Sequence, residues 1–148
     1  MKKQRHSIVP ASYLILEKDG KYLLARRCNT GYRDGQYSLV AGHVDAGESF
    51  LQAMVREAQE EVGITLYEKD LAVVHVMHRK SDDGDERIDV FIRAQAWLGE
   101  PVNCEPHKCN HLAWFAYDEL PQTTVPYVRL MFDYVRNGIF YSECGWKQ

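Results

Sequence analysis

The 148-residue sequence has no apolar run that approaches the roughly 20 residues with which a helix crosses a bilayer. It also lacks internal repeats, low-complexity stretches and linker-like segments, so we expect a single domain over residues 1–148 rather than a repeat array. The formal net charge of −3 leaves no excess of positive charge for a nucleic acid or an anionic membrane. We therefore expect neither a membrane nor a nucleic acid as the partner.

The four cysteines show no CxxC spacing and no dense disulfide framework, which suits a reducing compartment. The basic first residues are not followed by the apolar segment or the cleavage site of a signal peptide, so we expect a cytoplasmic protein. One segment gathers side chains that can bind metals, but their spacing is not that of the usual zinc sites. We expect a partly buried loop or strand edge there rather than a zinc site; its members are Cys104, His107, Cys109 and His111.

Turn signals separate about six strands. Asp19-Gly20 predicts a hairpin, the polar segment 81–86 predicts a second hairpin, and residues 37–41 read as one short strand. Two segments with helical periodicity lie among these strands. The combination predicts an α/β domain with a mixed sheet and a helix on each face.

The second predicted helix, residues 123–138, has recognisable ends. Thr123 or Thr124 would cap its first turn, which also suits Pro126, and Gly138 lies just past its last turn. The first predicted helix, residues 49–63, has an apolar stripe beside a strongly acidic face.

This acidic face holds Glu57, Glu60 and Glu61 beside Arg56. At about 100° per residue the three carboxylates fall within roughly 100° of arc. Their mutual repulsion and their position in the C-terminal half of the helix each oppose helix formation by a few tenths of a kcal/mol. One arginine cannot neutralise three acids. The face is therefore either a solvated glutamate-rich surface or a site for a hard divalent cation such as Mg²⁺ or Mn²⁺.

The spacing around this helix resembles the Nudix box, Gx5Ex7REUxEExGU, where U is a bulky apolar residue. Gly42, Glu48 and the segment REAQEEVGI match it over Gly42–Ile64, with Ala58 as a small residue at the first U position. The sequence is identified as a member of the Nudix hydrolase family and is MutT-related. The resemblance implies a Nudix-type α/β/α sandwich, and hydrolysis of a nucleoside diphosphate linked to a moiety X with Mg²⁺ or Mn²⁺.

The resemblance also implies roles for individual residues. Glu57, Glu60 and Glu61 would bind the metal, together with the backbone carbonyl of Ala41, which replaces a glycine that many members have. Glu57 would either coordinate the cation or help to activate water, and Glu60 and Arg56 join it as catalytic residues. The supporting positions are Gly42, Glu48 and Gly63.

Outside the box, Glu105 is the first candidate for a further metal-binding or basic carboxylate, ahead of Asp118 and Glu119. Strand alternation should aim only one of two adjacent arginines at the site, where it would bind phosphate. Two tyrosines before the box would either stack on a base or pack internally. These four candidate substrate-binding residues are Arg26, Arg27, Tyr32 and Tyr37.

Markers of several Nudix subfamilies are absent. No proline occurs between Ile64 and Pro101, unlike in ADP-ribose hydrolases, and the NADH-type and coenzyme A segments are missing. These absences favour a nucleoside triphosphate that is converted to a monophosphate and pyrophosphate. ADP-ribose, a sugar nucleotide and an RNA 5′ end are the alternative substrates, and a catalytically silent nucleotide sensor is the alternative from another class. The family resemblance is also compatible with a homodimer.

Overall fold

A computed structural model describes residues 1–147, which form nine strands, two α-helices and two one-turn 3₁₀ helices. None of the described helices is long and apolar enough to cross a membrane. The strands are β1 (Val9–Ile15), β2 (Glu17–Lys18), β3 (Lys21–Arg27), β4 (Tyr37–Ser38), β5 (Val40–His43), β6 (Leu71–Lys80), β7 (Glu86–Ala94), β8 (Cys109–Ala116) and β9 (Tyr141–Cys144). The α-helices are α1 (Phe50–Val62) and α2 (Pro126–Arg136), and the 3₁₀ helices are Glu68–Asp70 and Tyr117–Glu119.

The strands form two sheets. Five of them form a mixed sheet in the order β5-β1-β7-β6-β9, in which β1 is antiparallel to β5 and parallel to β7. In the second sheet β3 pairs antiparallel with β2, β4 and β8. The mixed sheet and the hairpin at Asp19-Gly20 are as predicted. The second sheet and β9 were not predicted.

The two helices pack on opposite faces of the mixed sheet. Along β1, Tyr13 and Ile15 join the apolar cluster that contains Met131 of α2. Leu14, between them, joins the cluster that contains Met54 of α1. Because successive side chains of a strand point to opposite faces, this alternation places one helix on each side and confirms the predicted α/β/α arrangement.

The ends of α1 are fixed by local hydrogen bonds. Ser49 accepts from the backbone of Gln52, whose side chain accepts from the backbone of Ser49, so the helix begins with a capping box. At the other end Gly63 has a φ of 69° and donates its backbone N–H to Gln59. This left-handed conformation stops the helix directly after its acidic face.

Two predicted elements differ in the structure. The threonine cap of α2 is wrong: Val125 precedes the helix without a side-chain cap, because Thr124 is held in an extended bridge to Tyr37. Pro126 does begin the helix, and Gly138 lies past its end. The predicted strand 37–41 is in fact two strands in different sheets. The chain crosses between them at buried Leu39, which brings β5 against α1.

Candidate active site

Arg56 joins the loop before α1 to the acidic face of the helix. Its guanidinium group makes two bonds to Glu48, with Nε–Oε2 at 2.7 Å and Nη2–Oε1 at 2.8 Å. The same group donates to Glu57 at 2.7 Å, to Glu60 at 3.4 Å and to the backbone carbonyl of His43 at 3.1 Å. The bidentate contact lowers the pKa of Glu48 to about 2. Arg56 thus clamps β5, the loop and α1 together.

The absence of a side chain at Gly42 creates the space for Glu57. A Cβ atom built at residue 42 would overlap the Glu57 carboxyl group. The carboxyl group can therefore lie directly against the backbone of β5 only because this residue is glycine. Burial raises the pKa of Glu57, and the charges of Glu60 and Glu105 add to that rise, while Arg56 opposes it.

Glu61 lies deeper in the same wall. Its Oε2 accepts a hydrogen bond of 3.1 Å from the backbone N–H of Ala41. Burial, followed by repulsion from Glu57 and Glu105, raises the pKa of the Glu61 carboxyl to about 8. The positive charge of Arg27 opposes this rise without offsetting it, so the Glu61 carboxyl holds its proton at neutral pH.

Glu105 reaches the site because its segment satisfies the end of α1. The backbone N–H groups of Val102 and Cys104 donate to the carbonyls of Val62 and Glu61, each at 3.0 Å. This pairing draws the chain along the helix end, so that Glu105 enters the cleft and raises the pKa values of Glu57 and Glu61. Lys108 Nζ lies 3.8 Å from the Glu105 carboxylate.

One open cleft of about 550 Å³ is bordered by four glutamates, namely Glu57, Glu60, Glu61 and Glu105. Within residues 1–147, no three acidic, imidazole or thiol side chains lie close enough together to hold an ion as they stand. Glu57 is turned towards Arg56 and Glu61 towards Ala41, so ligation requires rotation of these side chains. The donor set itself fits a hard divalent cation, because it consists of carboxyl oxygens whose mutual repulsion Arg56 and Lys108 compensate only in part.

The arginines differ from the expectation that only one would face the site. Arg26 and Arg27 both line the cleft, because the pairing of β3 with β8 shifts register between them and interrupts the alternation. Arg27 is held by the carbonyl of Tyr32 at 2.8 Å and the hydroxyl of Thr30 at 3.1 Å. Arg26 donates to Asn110 at 2.7 Å.

The two tyrosines have different surroundings. Tyr37 is buried in the core cluster around α2, and its hydroxyl contacts His111 Nδ1 at 2.6 Å, so it is not available to stack on a base. Tyr32 lines a second cavity, and its ring lies 5.5 Å from the guanidinium carbon of Arg27. Asp118 and Glu119 lie in the 3₁₀ helix Tyr117–Glu119 and border neither cavity.

The sequence profile of the NUDIX domain matches residues 7–134. The chain belongs to the NUDIX family. An ADP-ribose pyrophosphatase from Methanocaldococcus jannaschii is 31% identical over 141 residues, which cover 92% of this chain and 79% of that protein. The NAD-capped RNA hydrolase NudC of Escherichia coli is 31% identical over 119 residues. That alignment covers 80% of this chain but 43% of NudC, so the chain spans less than half of that relative.

Solved Nudix structures share the fold. A MutT NUDIX hydrolase from Burkholderia pseudomallei aligns with a TM-score of 0.79 and 29% identity, covering 86% of this chain and 98% of that one. A NUDIX hydrolase from Nitrosomonas europaea aligns with a TM-score of 0.76 over 91% and 93% of the two chains; at 24% identity it supports the fold alone. The chain is thus a Nudix hydrolase of the pyrophosphohydrolase type, with its substrate unspecified.

The cysteines and histidines of the segment 104–111 each contact different neighbours. Cys109 Sγ donates to the carbonyl of His111, whose ring contacts Tyr37, while Cys104 lies near Gly63.

Sequence reasoning missed Lys108, which lines the cleft next to Glu105. It sits in a loop without periodicity, so only the pairing of that loop with α1 and β3 could have revealed it.

Proposed function

We propose that this Nudix hydrolase cleaves a nucleoside diphosphate linked to X, with water attacking phosphorus and Mg²⁺ or Mn²⁺ as cofactor. The observation that supports this proposal is the convergence of Glu57, Glu61 and Glu105 on one cleft, where burial and the neighbouring carboxylates raise the pKa of Glu57 and Glu61. Such a cluster favours a bound cation, and a diphosphate provides further oxygen ligands for it. We also propose a single domain in a cytoplasmic protein, with a small-molecule substrate and a homodimer as its assembly.

Glu57, Glu60, Glu61 and the carbonyl of Ala41 are the proposed ligands. When bound there, the cation would neutralise the diphosphate oxygens and lower the pKa of water in contact with it. Arg56 orients the carboxylates, since it already contacts Glu57 and Glu60. Gly42, Glu48 and Gly63 support this arrangement through the close approach, the ion pair and the helix end described above.

In the proposed reaction a new bond forms between the water oxygen and phosphorus. The bridging phosphorus–oxygen bond breaks, and its electron pair leaves with the departing phosphate. A carboxylate accepts the proton of the attacking water, and Glu57 and Glu105 are the candidates for this role. Arg26 and Arg27 provide positive charge on the opposite wall of the cleft, where they would bind phosphate oxygens.

Two kinds of substrate are the main candidates. The missing subfamily markers favour a nucleoside triphosphate, and one solved relative is described as a MutT protein. The relative that aligns with 92% of the chain is described as an ADP-ribose pyrophosphatase. RNA with a capped 5′ end is the third candidate, because another relative is described as an NAD-capped RNA hydrolase.

A substrate panel tests the proposal. Nucleoside triphosphates, ADP-ribose, sugar nucleotides and capped or triphosphorylated RNA are incubated with the protein and Mg²⁺ or Mn²⁺, and the released products are measured. Glu60→Gln should lower kcat at least about 100-fold, since removal of one strong transition-state contact costs roughly 3 kcal/mol. The exposed Glu68 offers a matched control, and Glu68→Gln should retain full activity.

The outcomes separate the classes of function. Turnover that is abolished by Glu60→Gln but not by Glu68→Gln supports the hydrolase. Undiminished turnover in Glu60→Gln would remove this glutamate from the site. Tight nucleotide binding without turnover of any member of the panel would instead favour the silent sensor.

A further inference from the structure

A second cavity, of about 490 Å³, adjoins the catalytic cleft. Arg27 and the β5 residues Ala41, Gly42 and His43 line both spaces. A diphosphate held beside the glutamates therefore has this second cavity immediately across β5. The position suits an organic group attached to the diphosphate.

The rim of the second cavity is acidic. Asp83 and Asp85 lie in the turn between β6 and β7 and line it. The Ser81 hydroxyl donates to Asp83, and the Asp85 backbone N–H donates to the same carboxylate at 3.0 Å. These bonds lower the pKa of Asp83. The rim thus presents the carboxyl oxygens of two aspartates, which can accept hydrogen bonds.

Arginine side chains also contribute to this cavity. Arg87 lines it, and its charge adds to the lowering of the Asp83 pKa. Arg87 Nη2 donates to His43 Nε2 at 2.9 Å, and its Nε lies 3.8 Å from Asp89, so these contacts direct its guanidinium group at the wall of the cavity. At the exposed rim a hydroxyl-bearing group would donate to the two aspartates. Phosphate groups are better matched by Arg27, which lines both cavities, and by Arg26 of the catalytic cleft.

The inner wall of the cavity is rigid and polar. The hydroxyl groups of buried Tyr13 and Tyr127 lie 3.4 Å apart. Behind them Arg79 packs 3.8 Å from the Tyr127 ring centre and bonds to buried Asp89 at 2.7 Å. The cavity thus has tyrosine hydroxyls inside, aspartates at its mouth, and arginine donors in its lining. This mixture of donors and acceptors matches a sugar, whose hydroxyl groups both donate and accept.

We propose that the second cavity binds the ribose of the substrate, and that Asp83 and Asp85 are specificity-determining residues that accept hydrogen bonds from its vicinal hydroxyls. This inference rests on the proposed hydrolase function. A carboxylate that bonds to the ribose 2′-hydroxyl is a recurring solution in nucleotide sites. The enzyme then prefers ribosyl substrates over their 2′-deoxy counterparts, which lack one donor.

The test compares matched substrates: ATP with dATP, GTP with dGTP, and ADP-ribose with its 2′-deoxy analogue. One hydrogen bond to a charged group at an exposed rim should favour the ribosyl substrate over its 2′-deoxy counterpart about tenfold in kcat/KM. Asp85→Asn and Asp83→Asn/Asp85→Asn should lower this ratio, mainly by raising KM for the ribosyl member, because each amide offers one neutral acceptor oxygen in place of a charged carboxylate with two. The fold of each variant is checked by thermal unfolding.

Asp82 provides the control. It belongs to the same turn but pairs with Arg33 at 3.1 Å and does not line the cavity, so Asp82→Asn should keep the ratio of the unmodified enzyme. An unmodified enzyme without ribose preference would overturn the inference. So would a preference that is undiminished in the double variant. Absence of turnover for every substrate would count against the hydrolase proposal instead, which keeps the two failures distinct.

Discussion

Replacement of Glu61 by glutamine should change stability and activity in opposite directions. Glutamine keeps an oxygen that can accept the 3.1 Å hydrogen bond from Ala41 but cannot ionise. Without divalent cations the variant should be more stable than the unmodified protein at alkaline pH, because it removes a buried charge that faces Glu57 and Glu105. In the presence of Mg²⁺ it should lose activity at least about 100-fold, since a proposed ligand is gone.

The magnitude follows from the carboxyl pKa of Glu61, which rises from 4.5 to about 8. The native state holds this proton more tightly than the unfolded chain does. The corresponding stability is complete below pH 4.5 and is lost as the pH rises through 8. At about 1.4 kcal/mol per tenfold change in proton affinity, the full effect is about 5 kcal/mol. Because Glu61 lines the open cleft, water that enters the cleft should screen its charge and reduce the loss to about 2 kcal/mol.

The assay is urea unfolding with a chelator at several pH values between 5 and 9. Comparison of the two proteins at each pH is essential, because buried His75 has a lowered pKa and destabilises both of them as the pH falls below 6.5. The difference should be small at pH 5 and reach about 2 kcal/mol in favour of Glu61→Gln at pH 9. Equal stability of the two proteins throughout this range would refute the electrostatic reasoning.

Two further substitutions test the packing around the site. Gly42→Ala would push the Glu57 carboxyl group away from β5, so we expect at least a tenfold fall in kcat. Thermal unfolding should change little, because only the end of a flexible side chain has to move; an unchanged kcat would contradict the close approach. Arg79→Met leaves Asp89, which is 0% exposed, with only its longer 3.8 Å contact to Arg87 and should cost about 3–5 kcal/mol in urea unfolding. The added change Asp89→Leu should restore part of that loss, and its failure to do so would point to the Tyr127 contact as the main contribution of Arg79.

The sequence predicted the parts of the site that depend on local spacing. The helix that carries Glu57, Glu60 and Glu61 follows from apolar periodicity, and its end follows from Gly63. The repulsion among its three glutamates is enough to show that the acidic face destabilises the helix. Its function could be inferred only from the resemblance to the Nudix box, because a solvated glutamate-rich surface has the same local pattern.

The parts that depend on contacts distant in sequence could not be predicted. The register shift that turns both Arg26 and Arg27 to the cleft requires the pairing of β3 with β8, more than 80 residues later. The buried position of Tyr37 likewise depends on its bridge to Thr124. The second cavity forms only because the turn that holds Asp83 and Asp85 comes to lie near β5, through the parallel pairing of β1 with β7.

The organisation of α1 also explains how a destabilising cluster can persist. The Ser49 capping box and the Gly63 helix end stabilise α1 independently of the acidic face. Arg56 holds the loop through Glu48, whose pKa of about 2 keeps that ion pair intact throughout the neutral range. Neither contact needs the charges of Glu57 or Glu61. The fold can therefore form without a cation, and a cation bound to Glu61 would displace the proton of this carboxyl group rather than build the helix.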